Sequence, residues 1–417
     1  MFQDKPALLK AVRDRFAHVD NCPFQGPRIY FENGGGALTL KSVLTTSTKY
    51  AAIPDNQGRD NPASKAITST IDKARIDLAV FMNTISGQFV VGETGTELLF
   101  RMIRAACLNV SNGSKVLGCS IEHPASRSAA IHWAQIAGME YVNVQHNNET
   151  GLVTADDYAA LVTPDVAVAT ILHASPVTGM GMDVEAIAKA IRAVTPDCII
   201  IVDGIQHAAH GSLDLAAYDV DAYAISPYKV FSRHGYGVAW ISDKMTALSH
   251  EALIGGPTSN WELGTRDTSA FATISDVVAY FNWLGEMISK ESEPRKRIEA
   301  AGKAIHDLET DLTNMLINGT GNLTGLRAMD KVTILGGADN PAREGTVSFA
   351  VDGMASTAIV DHLNDHGIRT HTRKADHYSG NILKPLNLSD CVRISMCHYN
   401  TTQEVAQALT VMQDFIN

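Results

Sequence analysis

The chain has 417 residues, 45% of them hydrophobic and 19% charged, with a formal net charge of -11. That composition is globular and long enough for two separate cores. An acidic chain without a dense Lys/Arg block argues against nucleic-acid binding, and no apolar run approaches the roughly 20 residues of a membrane span.

The opening "MFQDKPALLKAVRDRF" is amphipathic and mixed in charge, without a secretory apolar core, so a cytoplasmic location is expected. From about residue 70 to 245 strands and helices alternate. "QFVVGE" reads as a strand and "GTELLFRMIRAACLN" as a helix. "KVLGCSIEH", "SRSAAIHWAQIAG" and "EYVNVQH" read as strand, helix, strand. "VAVATILHAS" and "DVEAIAKAIRAV" repeat the pattern, and "CIIIVDG", "DAYAIS" and "GVAWIS" are further strands. Continuous apolar strands such as "CIIIV" suit a parallel sheet buried on both faces. The alternation predicts an α/β fold with helices on both sides of the sheet. After "TISDVVAYFNWLGEMI" the character changes. Residues 291–316 predict a long charged amphipathic helix. "GTVSFAVDG", "GIRTHTRK" and "CVRISMCHY" predict strands of a smaller α+β domain. A last helix, "TTQEVAQALTVMQDFI", opens with capping-box spacing at Thr401 and Glu404 and places Val405, Leu409 and Met412 on one face. The expected division is residues 20–290 and 291–417, with residues 1–19 returning to the smaller domain. No internal repeat is evident.

Six scattered cysteines (Cys22, Cys107, Cys119, Cys198, Cys391 and Cys397) contain no CxxC pair, so neither a zinc ribbon nor a disulfide framework is suggested. Triplets such as Asn318-Gly-Thr320 read as chance glycosylation patterns.

Chemistry concentrates at strand ends. Asp203 directly follows "CIIIV", where ligands bind in open α/β sheets, and its carboxylate can pair with a protonated heterocyclic nitrogen. Lys229 lies one strand later in "SPYKVFSRHGYG", a turn between two apolar strands crowded by Tyr228, Phe231 and Tyr236. An apolar pocket disfavours an ammonium and favours an amine nucleophile. An imine-forming lysine with an aspartate opposite a pyridinium is the arrangement of pyridoxal phosphate enzymes. Taken singly, a surface turn lysine and a helix-capping aspartate are the ordinary alternatives. In "VVGETGTELLFRMI" a glycine-rich turn opens a helix near Gly95-Thr96, a seat for phosphate, or else a tight turn with Thr96 as N-cap. Ser226 is a second phosphate donor. His123 follows a strand and can stack on a cofactor ring, or simply flank a helix. In "CVRISMCHY", Arg393 shares a strand face with Ser395 and Cys397, opposite Val392, Ile394 and Met396. Its planar fork suits a carboxylate, though an internal salt bridge would also satisfy it.

Together these segments resemble the class V aminotransferase superfamily, and within it the cysteine desulfurase-like branch. "RIYFENGGGA" is similar to the family's N-terminal segment, with Glu32 for the usual aspartate. "GETGTELL" resembles its phosphate loop, "IEHPAS" the stacking-histidine segment, "IVDGIQHAAHGSLDL" the pyridinium-binding segment and "SPYKVFSRHGYGVAW" the Schiff-base segment. "WELGTRDTSAFATI" and "VRISMCHYNTTQEV" resemble two further family signatures. The resemblance implies the fold of aspartate aminotransferase-like PLP-dependent transferases, fold type I, with a large, mostly parallel sheet domain. It implies pyridoxal 5'-phosphate held by Gly95, Thr96, His123, Asp203, Gln206, Ser226, Tyr228 and Lys229. It further implies Thr265 reaching the phosphate across a homodimer interface, and Arg393 and Asn33 as substrate contacts. Lys229 and His123 become the catalytic residues, and no metal is expected.

Two departures stand out. In "TRKADHYSGNILKPLN" Tyr378 and Ser379 occupy the place of the persulfide-forming cysteine, and in "SPVTG" Pro176 replaces an asparagine. The expected function is therefore a PLP enzyme acting on a small amino acid through an external aldimine, as a desulfurase-like elimination lyase lacking that cysteine. Transamination or epimerisation on the same machinery is the alternative. A catalytically dead scaffold is another. So is a metal hydrolase built on Asp203, His207 and His210, which would leave Lys229, Gly95-Thr96 and Arg393 unexplained.

Overall fold

A computed structural model describes residues 5–110 and 114–416. Its central sheet has seven strands: β1 (Gln88–Gly92), β2 (Lys115–Cys119), β3 (Glu140–Val144), β4 (Val166–Leu172), β5 (Ile199–Asp203), β6 (Ala222–Ile225) and β7 (Gly237–Ile241), in the order β1-β7-β6-β5-β4-β2-β3. Only β7 runs antiparallel to its neighbours. Every residue of β4 and β5 is buried. Alternation divides them between two covers: Ile200 and Val202 pack with the helix Val184–Val194, and Ile199 and Ile201 with the helices Gly95–Asn109 and Pro124–Ile136. This two-sided burial is why the strands are apolar throughout. The result is the α/β architecture that the alternation of strands and helices predicts.

A second sheet joins β8 (Val332–Ile334), β9 (Thr346–Val351), β10 (His371–Lys374) and β11 (Asp390–Ser395) in the antiparallel order β8-β9-β11-β10. The helix Pro294–Asn318 precedes it, and the helix Thr402–Ile416 closes the chain. That last helix carries the capping box: the Thr401 amide donates to Glu404 at 2.9 Å, and the Glu404 amide donates to the Thr401 hydroxyl at 3.1 Å. At the other end of the chain, Arg13 in the helix Pro6–Arg13 donates to the Tyr399 carbonyl at 2.5 Å and pairs with Glu404 at 3.2 Å. Residues 1–4, part of the amphipathic opening, lie outside the described residues.

Two strand expectations need correction. "GIRTHTRK" is not one strand. Ile368–Arg369 pairs in parallel with Ile29–Tyr30, and only His371–Lys374 joins β11, so the segment changes partner at Thr370. The last strand ends at Ser395, where the Ser395 amide donates to the Phe31 carbonyl. Cys397 therefore lies beyond the strand, buried in the core, and does not share the strand face of Arg393.

Candidate active site

Parallel register brings the carboxyl ends of β4, β5 and β6 together, with Asp203 opposite Leu172 and Ala224. After β6 the chain makes a tight turn, Pro227–Lys229. The turn is held by two amide donors from the N-terminal segment, Ala37 to the Tyr228 carbonyl and Leu40 to the Phe231 carbonyl. Phe231 sits at φ 65°, in the left-handed region that costs an ordinary residue about 1–2 kcal/mol. Its fully buried ring packs on Phe16 and Phe281 at 5.4 and 5.8 Å, which offsets that strain. Lys229 is thereby fixed, and its Nζ donates to Gln206 Oε1 at 3.0 Å.

The electrostatics of this floor are set by burial. Burial, with the Arg393 charge adding to it against Asp203, lowers the Lys229 amine to about 7. Burial raises Asp203 to about 6, opposed by the Ile205 amide on Oδ1 at 3.2 Å and by Lys229. At neutral pH the pair therefore presents a carboxylate and a substantially unprotonated amine.

Lys229, Tyr228, His123 and Pro176 line two connected lobes. In the inner lobe they meet Asp203, Gln206, Ser226 and Thr96. The helix Gly95–Asn109 starts there, and its first amides have no intrahelical acceptor. Thr94, not Thr96, is the N-cap, accepting from Glu97 at 3.0 Å, which leaves the Thr96 side chain to the lobe. Gly95 is tightly held: a Cβ there would lie 2.6 Å from both Ser226 Oγ and Ile205 Cδ1. His123 caps the helix Pro124–Ile136, its Nδ1 accepting from Ala125 at 3.2 Å. Burial, then Lys229 and Arg373, lowers His123 to about 3, so the ring is neutral.

The outer lobe, about 440 Å³, opens between the sheets and includes Arg393. Arg393 is buried; its Nη1 donates to the Pro176 carbonyl at 2.9 Å, and its Nε has no partner. Gly34 lets the chain cross close over it, since a Cβ there would be 3.1 Å from Cζ. An unsatisfied buried guanidinium donor beside an open cavity fits a carboxylate ligand. Likewise the lysine, the buried carboxylate and the free helix start fit the aldehyde, ring nitrogen and phosphate of pyridoxal phosphate.

Two expected contacts are placed elsewhere. Asn33 is adjacent to the lobe, but its side chain is turned into the core. It donates to the Ser395 carbonyl at 2.8 Å and accepts from the Tyr399 hydroxyl, so it pins the N-terminal segment and has no amide left for substrate. Thr265 is exposed on a loop and does not line either lobe of its own chain. The trio Asp203, His207 and His210 does not converge as a metal site. His207 Nδ1 contacts Glu344 at 2.5 Å and His210 Nδ1 contacts Glu309 at 2.7 Å, and among the described residues the ligand atoms that gather near His210 are those of Glu309 and Cys397.

The structure adds Glu309, Arg373 and Lys374, which sequence reasoning missed, and links Gln206 to His210. Gln206 Nε2 lies 3.3 Å from His210 Nε2 and His210 Nδ1 lies 2.7 Å from Glu309, so Lys229, Gln206, His210 and Glu309 stand in a buried row whose Gln206–His210 link is a hydrogen bond only when His210 Nε2 carries no proton. Burial lowers the His210 pKa, but the Glu309 carboxylate outweighs it, and the result is about 9. The i, i+4 spacing of Gln206 and His210 was a usable signal; Glu309 had none. Arg373 and Lys374 also line the outer lobe, with Tyr378 at its mouth. All six cysteines are buried, and none lines either lobe.

Fold and cleft thus define a pyridoxal-phosphate-dependent enzyme. The sequence profile of the aminotransferase class-V family matches residues 29–408, and the chain belongs to that family. It is 26% identical to the aminotransferase-like protein FGM3 of Gibberella zeae, covering 93% of this chain and 94% of that one. It is 25% identical to the cysteine desulfurase-like protein ustD of Aspergillus flavus, covering 94% and 88%. Among solved structures, the cysteine desulfurase CsdA of Escherichia coli superimposes with a TM-score of 0.79 at 19% identity, covering 97% and 98% of the two chains.

Proposed function

We propose that this enzyme acts on a small amino acid as an elimination lyase in which Lys229 holds the cofactor covalently and no cysteine carries sulfur. The observation that carries this reading is Lys229 itself, fixed where the two lobes meet with its amine lowered to about 7. Bound pyridoxal phosphate supplies the electron sink that makes a bond at Cα labile. Everything else falls to side chains. Asp203 keeps a proton on the ring nitrogen. Gly95, Thr96 and Ser226 hold the phosphate, and Thr265 of a second subunit reaches it in a homodimer. Neutral His123 covers the ring without adding charge. Arg393, with its unpartnered Nε, would bind the substrate carboxylate and so fix the orientation of Cα in the cleft. Lys229, poised near neutrality, would remove the Cα proton and pass it to the group that leaves Cβ with the electrons of the broken Cβ–X bond. The lyase reading over sulfur transfer rests on the thiols: burial pushes Cys391 and Cys198 up to about 12 and raises Cys397 well above its ordinary value, while Cys22, the thiol that backbone amides of Phe24 and Gln25 lower, lines neither lobe.

Borohydride reduction of the holoenzyme followed by peptide mapping tests the first half; the adduct is expected on Lys229, and an adduct on another lysine refutes it. Incubation with cysteine followed by alkylation tests the second. No protein persulfide is expected, and a persulfide formed at the turnover rate restores a sulfur-transfer enzyme.

A further inference from the structure

The outer lobe carries more positive charge than one substrate carboxylate needs. Beside Lys229, whose amine is largely unprotonated, the cations Arg373, Lys374 and Arg393 line it. Among the described residues, no carboxylate lies within 4.0 Å of any of these three cations, although Lys374 stands opposite Asp390 in the strand register and shares its charge with it. Of the two acids in the lining, Glu32 is neutralised by Arg369 at 3.0 Å and also meets His371 at 3.4 Å. Asp376 is exposed and accepts from the Tyr378 amide at 2.8 Å.

Two of the cations are guanidiniums aimed from one sheet face. β10 and β11 pair with His371 opposite Arg393 and Arg373 opposite Cys391, so Arg373 and Arg393 are diagonal neighbours. Such positions stand about 7–8 Å apart, within reach of long side chains. Arg393 has one carbonyl partner and an unpartnered Nε. Arg373 spends Nε and Nη2 on the hydroxyl of the fully buried Ser379, at 2.8 and 2.5 Å. That neutral oxygen holds the guanidinium in place and leaves its charge uncompensated. Two fixed like charges this close repel each other unless anions sit between them.

We infer that the substrate is an α-amino acid whose side chain ends in a second anion, a carboxylate, sulfinate or phosphate, read by Arg373 with help from Lys374 while Arg393 takes the α-carboxylate. The inference rests on the proposed function of the same site. It deepens that reading by naming the substrate class. It assigns to Arg373 and Ser379 the segment in which a sulfur-carrying loop was expected.

The test is titration of the holoenzyme, followed by the change in its visible absorption band. The probes are aspartate, cysteine sulfinate and O-phosphoserine, set against asparagine, alanine and cysteine. At least one acidic amino acid is expected to bind about 10-fold to 100-fold more tightly than its neutral counterpart, the scale of a charge-assisted hydrogen bond. Which of the three binds best identifies the anion. Arg373→Gln should erase most of that preference. Equal or tighter binding of asparagine and alanine on the unmodified enzyme overturns the inference, and so does an acid preference that survives Arg373→Gln. The comparison on unmodified enzyme stands even if the variant does not fold. A holoenzyme whose band responds to no amino acid refutes the underlying functional reading instead, a result distinct from a response that favours neutral substrates.

Discussion

Replacing Gly95 with alanine probes the phosphate seat with one methyl group. The new Cβ would lie 2.6 Å from Ser226 Oγ and from Ile205 Cδ1, where ordinary contact begins at 3.4 Å. Ile205 is partly exposed and can swing its methyl aside. Ser226 is buried, and its hydroxyl can yield only by rotating away from the inner lobe. Overpacking of this kind costs about 1–3 kcal/mol of stability. The displaced hydroxyl removes a hydrogen bond to a charged group, about 1.5–3 kcal/mol, so cofactor affinity should fall roughly 10-fold to 150-fold. Apo-protein titrated with pyridoxal phosphate, followed by its visible absorption, measures the affinity, and thermal unfolding measures the stability. Ser226→Ala should reproduce most of the affinity loss with little loss of stability. The double variant should be no worse in affinity than the Gly95 variant alone. A Gly95→Ala protein that folds and binds cofactor as tightly as the parent would refute the assignment of this helix start to the phosphate.

Three further outcomes are expected. Arg393→Lys keeps the charge and loses the fork, so substrate binding should weaken by about 1–3 kcal/mol with cofactor affinity unchanged; the reverse pattern in spectral titrations refutes the role. Capture of pyridoxal phosphate by the apo-protein should accelerate as pH rises through about 7 and then level off. Only the unprotonated amine reacts, and Lys229 sits near 7 in place of the ordinary 10.5; a stopped-flow rate still climbing at pH 9 would contradict it. Thr265→Ala should weaken cofactor binding in a dimer, checked by light scattering and titration together, and full affinity in a monomer would refute the shared site.

The α/β core was legible because each strand meets a local requirement. A strand buried on both faces must be apolar at every position, and "CIIIV" cannot be read otherwise. Lys229, Asp203 and Gly95 were legible for a similar reason, since each sits at a strand end or turn that the local pattern already marks. What stayed hidden depends on partners far along the chain. Asn33 looked like a polar residue on a glycine-flanked loop, yet residues more than 360 positions away bury it and use both ends of its amide. Glu309 lies on the buried face of the long helix, where His210, 99 residues earlier, meets it. Nothing local in "GIRTHTRK" marks the change of strand partner at Thr370, which follows from the N-terminal segment returning to pair with Ile368 and Arg369.

The charges of the cleft belong to one balance rather than to separate residues. Burial alone pushes Asp203 towards its neutral form and Lys229 towards its amine, and each opposes the other's shift. Arg393, and beyond it Arg373, tilts that balance further against the ammonium. The same cations therefore keep the lysine amine unprotonated in the cofactor-free chain, ready to capture the aldehyde. An anion bound at the two guanidiniums would screen them and raise the basicity of Lys229, at the moment when that residue must take a proton from Cα. Substrate charge and base strength are coupled through the same arginines. This gives a physical reason for cationic side chains so close to a lysine that must stay neutral.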